Sequence, residues 1–303
     1  MDRWTRLFSE PAAPEAAFSV GRSHLCGIRV SRKERRASAH VIRPLPPRTV
    51  VPGFDRPNIS NPAALEAALA DAQRRLGSGP ASASLLIPET AVKTALLAFD
   101  ALPDAAEERE AVLRWRLAKT LPMKTSDLRL AFDVVKSNGG ARAFCVLALE
   151  SVIREYEDAF AKTGLRVRAV ELPTPHLLGL VPPSAPAEIL IVNVEDDTLS
   201  LLAVDGGGPA LFRVKSIAPG GPEVGPWPFI GTEVANTVHF LEDREKVRVQ
   251  SVWIRDAGEG PPAALDVLEK RAGCPVRRLA FDVPAVAGPR EQALLAPLIG
   301  QVS

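Results

Sequence analysis

Short apolar segments separated by polar turns recur along the chain, and their alternation is typical of β-strands that are buried on one or both faces. Near the start, this pattern predicts strands over Phe18–Val30 and Ala37–Arg43 and a buried strand over Ala83–Ile87. Between them, Asn61 can cap a helix, because its side chain accepts hydrogen bonds from the free N–H groups of a first helical turn. That helix is predicted to end at Gly77. The opening of the chain is therefore an α/β unit.

The next segment has the pattern of a small α+β unit. Asp104 is predicted to cap a helix with an acidic first turn and a leucine stripe that runs to Leu121. Alternation over Leu128–Val134, the turn Asn138–Gly140 and the apolar run Arg142–Leu149 predict a hairpin. The other elements predicted for this unit are a helix and a strand, Glu150–Thr163 and Leu165–Leu172. A unit of this size fits an insert subdomain.

After the proline-rich linker 182–186, the opening pattern repeats. The elements predicted here are strands Ile189–Val194, Leu199–Val204 and Ala210–Ile217, helix Ile230–Glu242, strand Val247–Ile254, helix Pro262–Arg271 and strand Pro275–Leu279. The glycines of Asp205–Gly208 join two strands, so we interpret them as a hairpin turn and not as a phosphate loop, which would open a helix. Two halves that each open on a strand meander predict a duplicated α/β fold with a cleft between two lobes.

Composition narrows the functional classes. The 303 residues are 46% hydrophobic and 24% charged, as in a globular protein. Lys and Arg number 37 against 36 Asp and Glu, which argues against a nucleic-acid-binding protein because such domains concentrate positive charge. Aromatic residues make up only 5%, with a single tyrosine, so platforms for stacking bases or sugars are disfavoured.

Cysteines and histidines give no sign of a disulfide framework or a metal site. Cys26, Cys145 and Cys274 are far apart and odd in number, which fits buried thiols in a reducing compartment, and the four histidines are scattered. No apolar run approaches the roughly 18 residues of a membrane-spanning helix, and the N-terminal residues lack the apolar stretch of a secretory signal. We therefore expect a cytoplasmic protein.

Five passages carry a resemblance to a known family through their order and spacing. They are Leu86–Glu89, Phe99–Leu121, Leu128–Asp133, Ala169–Leu172 and Glu233–Phe240. The first resembles a strand-end Ile-Pro motif, the second an acidic helix between two Leu-Pro pairs, and the last a helix of the second lobe. Together they resemble the PilM family, the actin-like cytoplasmic component of type IV pilus assembly.

The resemblance runs from about residue 18 to the end of the chain and implies an actin-like (ribonuclease H-like) two-lobed duplicated fold with a small α+β insert in the first lobe. The core of the first lobe is then expected over 1–98 and 168–184, the insert subdomain over 99–167 and the second lobe over 187–303.

Actin-like ATPases hold ATP and Mg²⁺ between the lobes with two Asp-x-Gly turns, in which glycine lets the backbone approach the phosphates and aspartate orients the metal. The resemblance places Ser19-Val-Gly21 at the first turn and Asn193-Val-Glu195 at the second. Glu195 would repel a triphosphate by a few kcal/mol, about what Coulomb's law gives at ~4–6 Å, and Arg22 could offset part of this. The degenerate cleft positions are Ser19, Gly21, Ser23, Asn193, Glu195, Thr198 and, in the loop on the adenosine side, Gly258.

These departures predict a pseudo-ATPase with no catalytic residue and no metal ligand. No cofactor is expected, and binding of ATP with Mg²⁺ is disfavoured without being excluded. One alternative is a nucleotide-dependent ATPase switch in the same machine, which would need intact cleft turns. Another is a kinase of the sugar-kinase branch, which would also need a catalytic aspartate that the chain does not show.

The resemblance also implies a partner, the short cytoplasmic tail of a PilN-type inner-membrane protein. The tail would lie between the first-lobe core and the insert, lined by residues from about Leu85–Asp100 and the insert strands, because an extended peptide gains main-chain hydrogen bonds there without a cofactor. Other platform or motor components are expected partners, nucleic acid is not, and the membrane is expected to be reached only through protein contacts, peripherally at the inner membrane. A further alternative is the related scaffold of a type II secretion system. That scaffold normally continues into a transmembrane helix, whereas this chain ends at Ser303, which favours the pilus protein.

Overall fold

A computed structural model of the chain describes residues 15–31, 36–77, 81–119, 127–137, 140–206, 208–217, 225–257, 263–281 and 288–303. Its strands are β1 (Ala16–Val20), β2 (His24–Ser31), β3 (Arg36–Pro44), β4 (Ser82–Leu86), β5 (Lys93–Phe99), β6 (Leu128–Ser137), β7 (Gly140–Leu149), β8 (Arg166–Glu171), β9 (Ile189–Glu195), β10 (Thr198–Asp205), β11 (Gly208–Ser216), β12 (Ser251–Asp256) and β13 (Val276–Arg278). Its α-helices are α1 (Pro62–Leu76), α2 (Ala106–Ala118), α3 (Glu150–Ala161), α4 (Pro173–His176), α5 (Trp227–Phe240), α6 (Ala263–Ala272) and α7 (Pro289–Gly300). A π-helical turn over Leu241–Glu245 extends α5.

Two five-stranded sheets with the same topology form the cores of the two lobes. The first has the strand order β3-β2-β1-β4-β8 and the second β11-β10-β9-β12-β13. In each, the first three strands form an antiparallel meander and the last two add in parallel. The central strands β1 and β4 are buried along their whole length because helices cover both faces of the sheet. The duplicated, two-lobed α/β fold predicted from the sequence is confirmed.

One strand prediction is wrong. The segment Phe18–Val30 is not a single strand, because residues 21–23 turn the chain and separate β1 from β2. Gly21 donates its N–H to the carbonyl of His24 at 2.8 Å and closes this turn. Because apolar residues lie on both sides of this turn, the alternation pattern alone does not reveal it. The hairpin predicted at Asp205–Gly208 is confirmed, since these two residues pair at the ends of β10 and β11.

Helix α1 follows the sequence prediction. The Asn61 side chain accepts a hydrogen bond from the N–H of Ala64 at 3.1 Å and caps the first turn. Leu65 and Leu69 are fully buried against the first sheet. Burial of this leucine stripe is worth about 1.5–3 kcal/mol for each side chain, so packing stabilises the helix more than the cap does. None of the helices in the described part of the chain is long and apolar enough to cross a bilayer.

A third sheet forms the insert, with the order β5-β7-β6 and antiparallel pairing throughout. Helix α2 covers one face of this sheet through the buried side chains of Leu113 and Leu117. The predicted cap at Asp104 is wrong, because the helix begins after Ala105, which has no capping side chain. The carbonyl of Asp104 instead accepts a hydrogen bond from Arg109 at 2.6 Å.

The insert differs from its predicted bounds of 99–167. Its sheet begins at Lys93, six residues earlier, and its last strand ends at Leu149. Helix α3 belongs to the core of the first lobe, where Tyr156 and Phe160 are fully buried. The Phe160 ring packs edge-to-face on Phe18 with 5.5 Å between the ring centroids. The amphipathic pattern of α3 identified a helix but not the sheet that it covers.

The two lobes share an apolar core around α4, the 3₁₀ turn Leu177–Leu180 and α7. Buried residues of both central sheets, such as Leu86 and Ile191, meet Leu295 of α7 there. Gly179 lies so close to α7 that a Cβ atom would overlap the carbonyl oxygen of Gly300. Helix α7, which packs against strands of both lobes, was not predicted from the sequence.

The insert also contacts the second lobe. Arg142 of β7 donates two hydrogen bonds to the carboxylate of Asp205 in β10, at 2.7 and 2.8 Å. Beside this bidentate pair, the rings of Phe144 and Phe212 pack edge-to-face with their centroids 5.6 Å apart. The insert therefore bridges the two lobes as well as extending the first.

Candidate functional site

The equivalent ends of β1 and β9 meet across the cleft between the lobes. Each is the first strand of its meander, so the duplication brings the turn at residues 21–23 and the turn at 196–197 face to face. A Cβ atom added at Gly21 would lie 3.2 Å from Oε1 of Glu195. Any larger residue at position 21 would therefore displace Glu195, which makes glycine the residue that permits this approach.

Polar side chains close the cleft directly from one lobe to the other. The hydroxyl of Ser23 lies 2.8 and 3.0 Å from the two carboxylate oxygens of Asp196. The guanidinium of Arg22 lies 3.2 Å from the carboxylate of Asp197. Asp196 has a φ of 47°, in the left-handed region that aspartate tolerates in short turns. Such exposed contacts contribute at most about 1 kcal/mol each, so they fix orientation more than they add stability.

A buried guanidinium neutralises the acidic residue of the second turn. Only 2% of the Arg255 side chain is exposed, and its Nη1 donates hydrogen bonds to Asn193 at 2.8 Å and to Glu195 at 2.6 Å. Its Nε donates to the carbonyl of Ala293 in α7 at 2.6 Å. The sequence analysis names Arg22 as the residue that could offset the charge of Glu195; in the structure Arg255 pairs with Glu195, and Arg22 pairs with Asp197. A buried cation requires such partners because desolvation is costly.

Glu89 joins both lobes at the floor of the cleft, and sequence reasoning did not select it. Its side chain accepts a hydrogen bond from the Ser200 hydroxyl at 2.5 Å and another from the N–H of Thr174 at 2.7 Å. The Thr174 hydroxyl in turn accepts a bond from the Asn193 amide at 2.8 Å. Burial raises the pKa of Glu89, while these hydrogen bonds oppose the shift. The available signal was a carboxylate directly after the apolar run of β4.

The cleft floor encloses about 30 Å³ of free volume, which is room for about two water molecules. The structure brings five predicted positions together around this space, namely Ser19, Gly21, Asn193, Glu195 and Thr198. Ser23 does not line this space but donates a hydrogen bond to Asp196, which does. Gly258 lies outside the described residues.

The chemistry of the cleft floor does not match that of a Mg·ATP site. Ser19 and Asn193 stand where the resemblance implies aspartates, and neither supplies a carboxylate. The buried carboxylate that is present, Glu89, has both oxygens engaged by hydrogen bonds. Within the described residues, no group of three or more His, Cys, Asp or Glu side chains is arranged to hold a metal ion. The residues of this cleft, as arranged, do not fit a triphosphate with its metal.

A second concave site lies between the insert and the core of the first lobe. One wall is the face of the insert sheet opposite α2, where Arg129 pairs with Ala148, Ala131 with Val146 and Asp133 with Phe144. The other wall is formed by residues of α3, β8, α4 and the residue that joins β8 to α4, namely Ile153, Val170, Glu171, Leu172, Pro175 and His176. The enclosed volume is about 250 Å³. We refer to this space as the insert groove.

Two strand edges border the insert groove. In the described residues, β6 is the outer strand of the insert sheet and β8 is the outer strand of the first-lobe sheet. An outer strand has backbone N–H and C=O groups that face away from its own sheet and can pair with an added strand. The groove thus combines an apolar wall with backbone hydrogen-bonding groups, which is the chemistry that accepts an extended peptide.

Charged residues occupy the groove in defined positions. Arg129 is bound by Glu150 at 2.8 Å and by Glu157 at 2.5 Å, and this arginine lowers the pKa of Glu150 to about 2. On the opposite wall, Glu171 accepts a hydrogen bond from Gln301 at 2.5 Å and lies 3.4 Å from the His176 ring. The charges are held by neighbours on both walls, so an occupant meets a preorganised surface.

Comparisons with known proteins find matches for the fold of the chain but none for its sequence. No protein-family model matches the chain, and no curated protein matches it. Among solved structures, it matches a chain of a PilM–PilN type IV pilus biogenesis complex, with a TM-score of 0.76 and 17% identity over 96% of this chain and 99% of that one.

Two further solved structures match less closely. A protein with an actin-like ATPase fold and unknown function from Bacteroides thetaiotaomicron has a TM-score of 0.51 and 10% identity, over 97% of this chain and 98% of that one. The ethanolamine utilization protein EutJ from Carboxydothermus hydrogenoformans has a TM-score of 0.50 and 10% identity, over 99% of this chain and 94% of that one. The actin-like, PilM-like fold that the sequence passages implied is thereby confirmed.

Replacing Arg255 tests the network that holds the second turn. Arg255→Gln leaves Glu195 without its cation, so we expect the free energy of unfolding to fall by about 3–5 kcal/mol, as when one partner of a buried ion pair is removed. Urea denaturation measures this loss. Arg166→Gln, at an exposed position of β8, serves as the control and should change stability by no more than about 0.5 kcal/mol. A similarly small effect of Arg255→Gln would contradict the network.

Replacing Glu89 tests the buried carboxyl through the pH dependence of stability. Because the folded-state pKa is raised, the contribution of Glu89 to stability is complete below the unfolded-state pKa of about 4.3 and is lost as the pH rises through the folded value. Glu89→Gln does not titrate at this position. We therefore expect the variant to gain stability relative to the wild type as the pH is raised from about 4 to about 8. Urea denaturation across that range measures the free energy of unfolding of both proteins. A value for the variant that stays constant or falls relative to the wild type as the pH rises would contradict this.

Proposed function

We propose that this protein is an actin-like scaffold of a type IV pilus assembly platform, and that it holds the cytoplasmic tail of a PilN-type inner-membrane protein in the insert groove. The observation that carries the proposal is the groove itself, a space of about 250 Å³ with an apolar wall between two strand edges. The likeness of the whole chain to a structure from a PilM–PilN complex supports the choice of partner.

An extended peptide fits this groove on physical grounds. Added as a strand along β6 or β8, it would satisfy backbone groups at that edge and place alternate side chains against the wall. Val146 and Val170 are partly buried at the wall and would be covered by apolar side chains of the peptide. Asp133 and Glu171 would favour a basic side chain in the occupant.

The proposal places the protein at the cytoplasmic face of the inner membrane, where it is recruited by contacts with the partner. The tail of a membrane protein then supplies the anchor, and other platform or motor components would bind surfaces outside the groove. Membrane contact is indirect in this arrangement.

We also propose that the protein works without ATP turnover. Two observations support this: the serine and asparagine at the two cleft turns, and the engagement of both oxygens of Glu89. The contacts of Ser23 with Asp196 and of Arg22 with Asp197 join the lobes where a nucleotide joins them in an actin-like ATPase. A scaffold needs a fixed angle between its lobes, and these contacts supply it directly.

A bulky cation in the groove tests the peptide site. Ala131 is exposed on the groove wall, so Ala131→Arg should fill the groove without disturbing the core. We expect the affinity for a fluorescent synthetic peptide of the PilN-type tail from the same organism to fall at least about tenfold, a loss of about 1.4 kcal/mol. Fluorescence anisotropy measures it.

The matched control is Ala111→Arg, the same change at an exposed position of α2 on the other side of the insert sheet. It should bind the peptide as the wild type does. Equal affinities for both variants, or failure of the wild-type protein to bind the peptide without nucleotide, would contradict the proposed site.

A further inference from the structure

Helix α2 has an exposed tryptophan on the side that faces away from the insert sheet. Leu113 and Leu117 are buried against that sheet, whereas 60% of Trp115 is exposed. Among the residues that the structure describes, Trp115 is the most exposed of the large apolar side chains. Tryptophan is enriched at the centres of protein interfaces, but one exposed ring does not define an interface. The residues around Trp115 therefore decide what it can contact.

Trp115 belongs to a stripe of four residues with the spacing of a helix–helix interface. Glu108, Val112, Trp115 and the C-cap residue Lys119 follow one another at intervals of 4, 3 and 4 residues, which is the a/d spacing of paired helices. At 3.6 residues per turn, all four lie within about 60° of one another around the helix axis. Val112 is half-buried and the other three are exposed. The stripe thus has an apolar centre and opposite charges at its two ends.

The two charges of this stripe are too far apart to neutralise each other. Glu108 and Lys119 are separated by about 16 Å along the helix axis. In the described part of the chain, neither forms an ion pair with another side chain. The Lys119 ammonium lies 3.4 Å from the centre of the Trp115 ring, and a ring face attracts a cation without neutralising it. Both charges are therefore available to a second molecule.

We propose that two copies of this protein associate through this stripe, with their α2 helices packed antiparallel about a two-fold axis. In that arrangement the stripe is complementary to itself. Glu108 of each copy meets Lys119 of the other, and Val112 of each copy meets Trp115 of the other. Each contact occurs twice, as a two-fold interface requires. A parallel pair would instead place like charges opposite each other, so the charges select the antiparallel orientation.

The length of α2 makes this association weak and reversible. The helix has 13 residues, so it is about 20 Å long. A contact along one helix of this length buries less than the roughly 1,200–2,000 Å² of a standard protein interface. The insert groove lies on the opposite face of the insert sheet, so it stays open in the dimer. The inference is therefore independent of the proposed peptide site.

Sedimentation velocity of the full chain and of two charge-reversal variants tests the proposal. We expect the wild type to form dimers reversibly between about 10 and 500 µM. Glu108→Lys and Lys119→Glu should each weaken this association at least about tenfold, because each places like charges opposite one another. An equimolar mixture of the two variants should associate as well as the wild type, because both pairs then join opposite charges again. Such rescue by mixing requires that the two stripes meet each other.

Trp115→Ala tests the apolar centre of the interface and should also weaken association at least about tenfold. The matched control for Glu108→Lys is Asp266→Lys, which reverses an exposed acidic residue in the first turn of α6 and changes the net charge equally. It should associate as the wild type does. The proposal is overturned if the wild type stays monomeric over this range, if the mixture associates no better than its separate components, or if Asp266→Lys weakens association as much as Glu108→Lys.

Discussion

The Arg255 guanidinium, buried between the second-lobe sheet and α7, is the constraint on which the cleft depends. A desolvated cation must be matched by hydrogen-bond acceptors, and here they are Asn193, Glu195 and the carbonyl of Ala293. Once Glu195 is held by Arg255, its second oxygen lies beside Gly21 of the other lobe. The charge balance inside the second lobe thus sets how closely the two turns approach.

The contacts that join the two lobes and the insert groove are separate parts of the molecule, and the same packed elements support both. Glu89, the Arg22–Asp197 pair and the core around α7 fix the lobes, while the insert is tied to the second lobe by Arg142 and Asp205. The insert groove lies between elements that are all anchored in this way. As we propose, a partner peptide meets a site that is already formed, which limits the entropy lost on binding. The duplicated fold then serves as a rigid support instead of a nucleotide clamp.

The sequence was sufficient for the architecture because strand meanders, turns and caps are local. The Asn61 cap, the Asp205–Gly208 hairpin and the repeat of the two halves could all be predicted from neighbouring residues. The pairing of Arg255 with Glu195 joins positions 60 residues apart, and that of Glu89 with Ser200 joins positions 111 apart. No local pattern encodes such contacts. The assignment of α3 to the insert differs from the structure for the same reason, since the amphipathic pattern of a helix shows which face is buried but not which element covers it.

The distance between the lobes, measured with and without nucleotide, tests the central claim most directly. Spin labels at Ala67→Cys in α1 and Lys270→Cys in α6, in a Cys274→Ser background, report this distance by double electron–electron resonance. If the cross-lobe contacts hold the cleft closed, the nucleotide-free protein should give one narrow distance distribution that Mg·ATP leaves unchanged. A broad or two-peaked distribution that becomes narrow on addition of Mg·ATP would show that nucleotide closes the lobes and would contradict a nucleotide-independent scaffold.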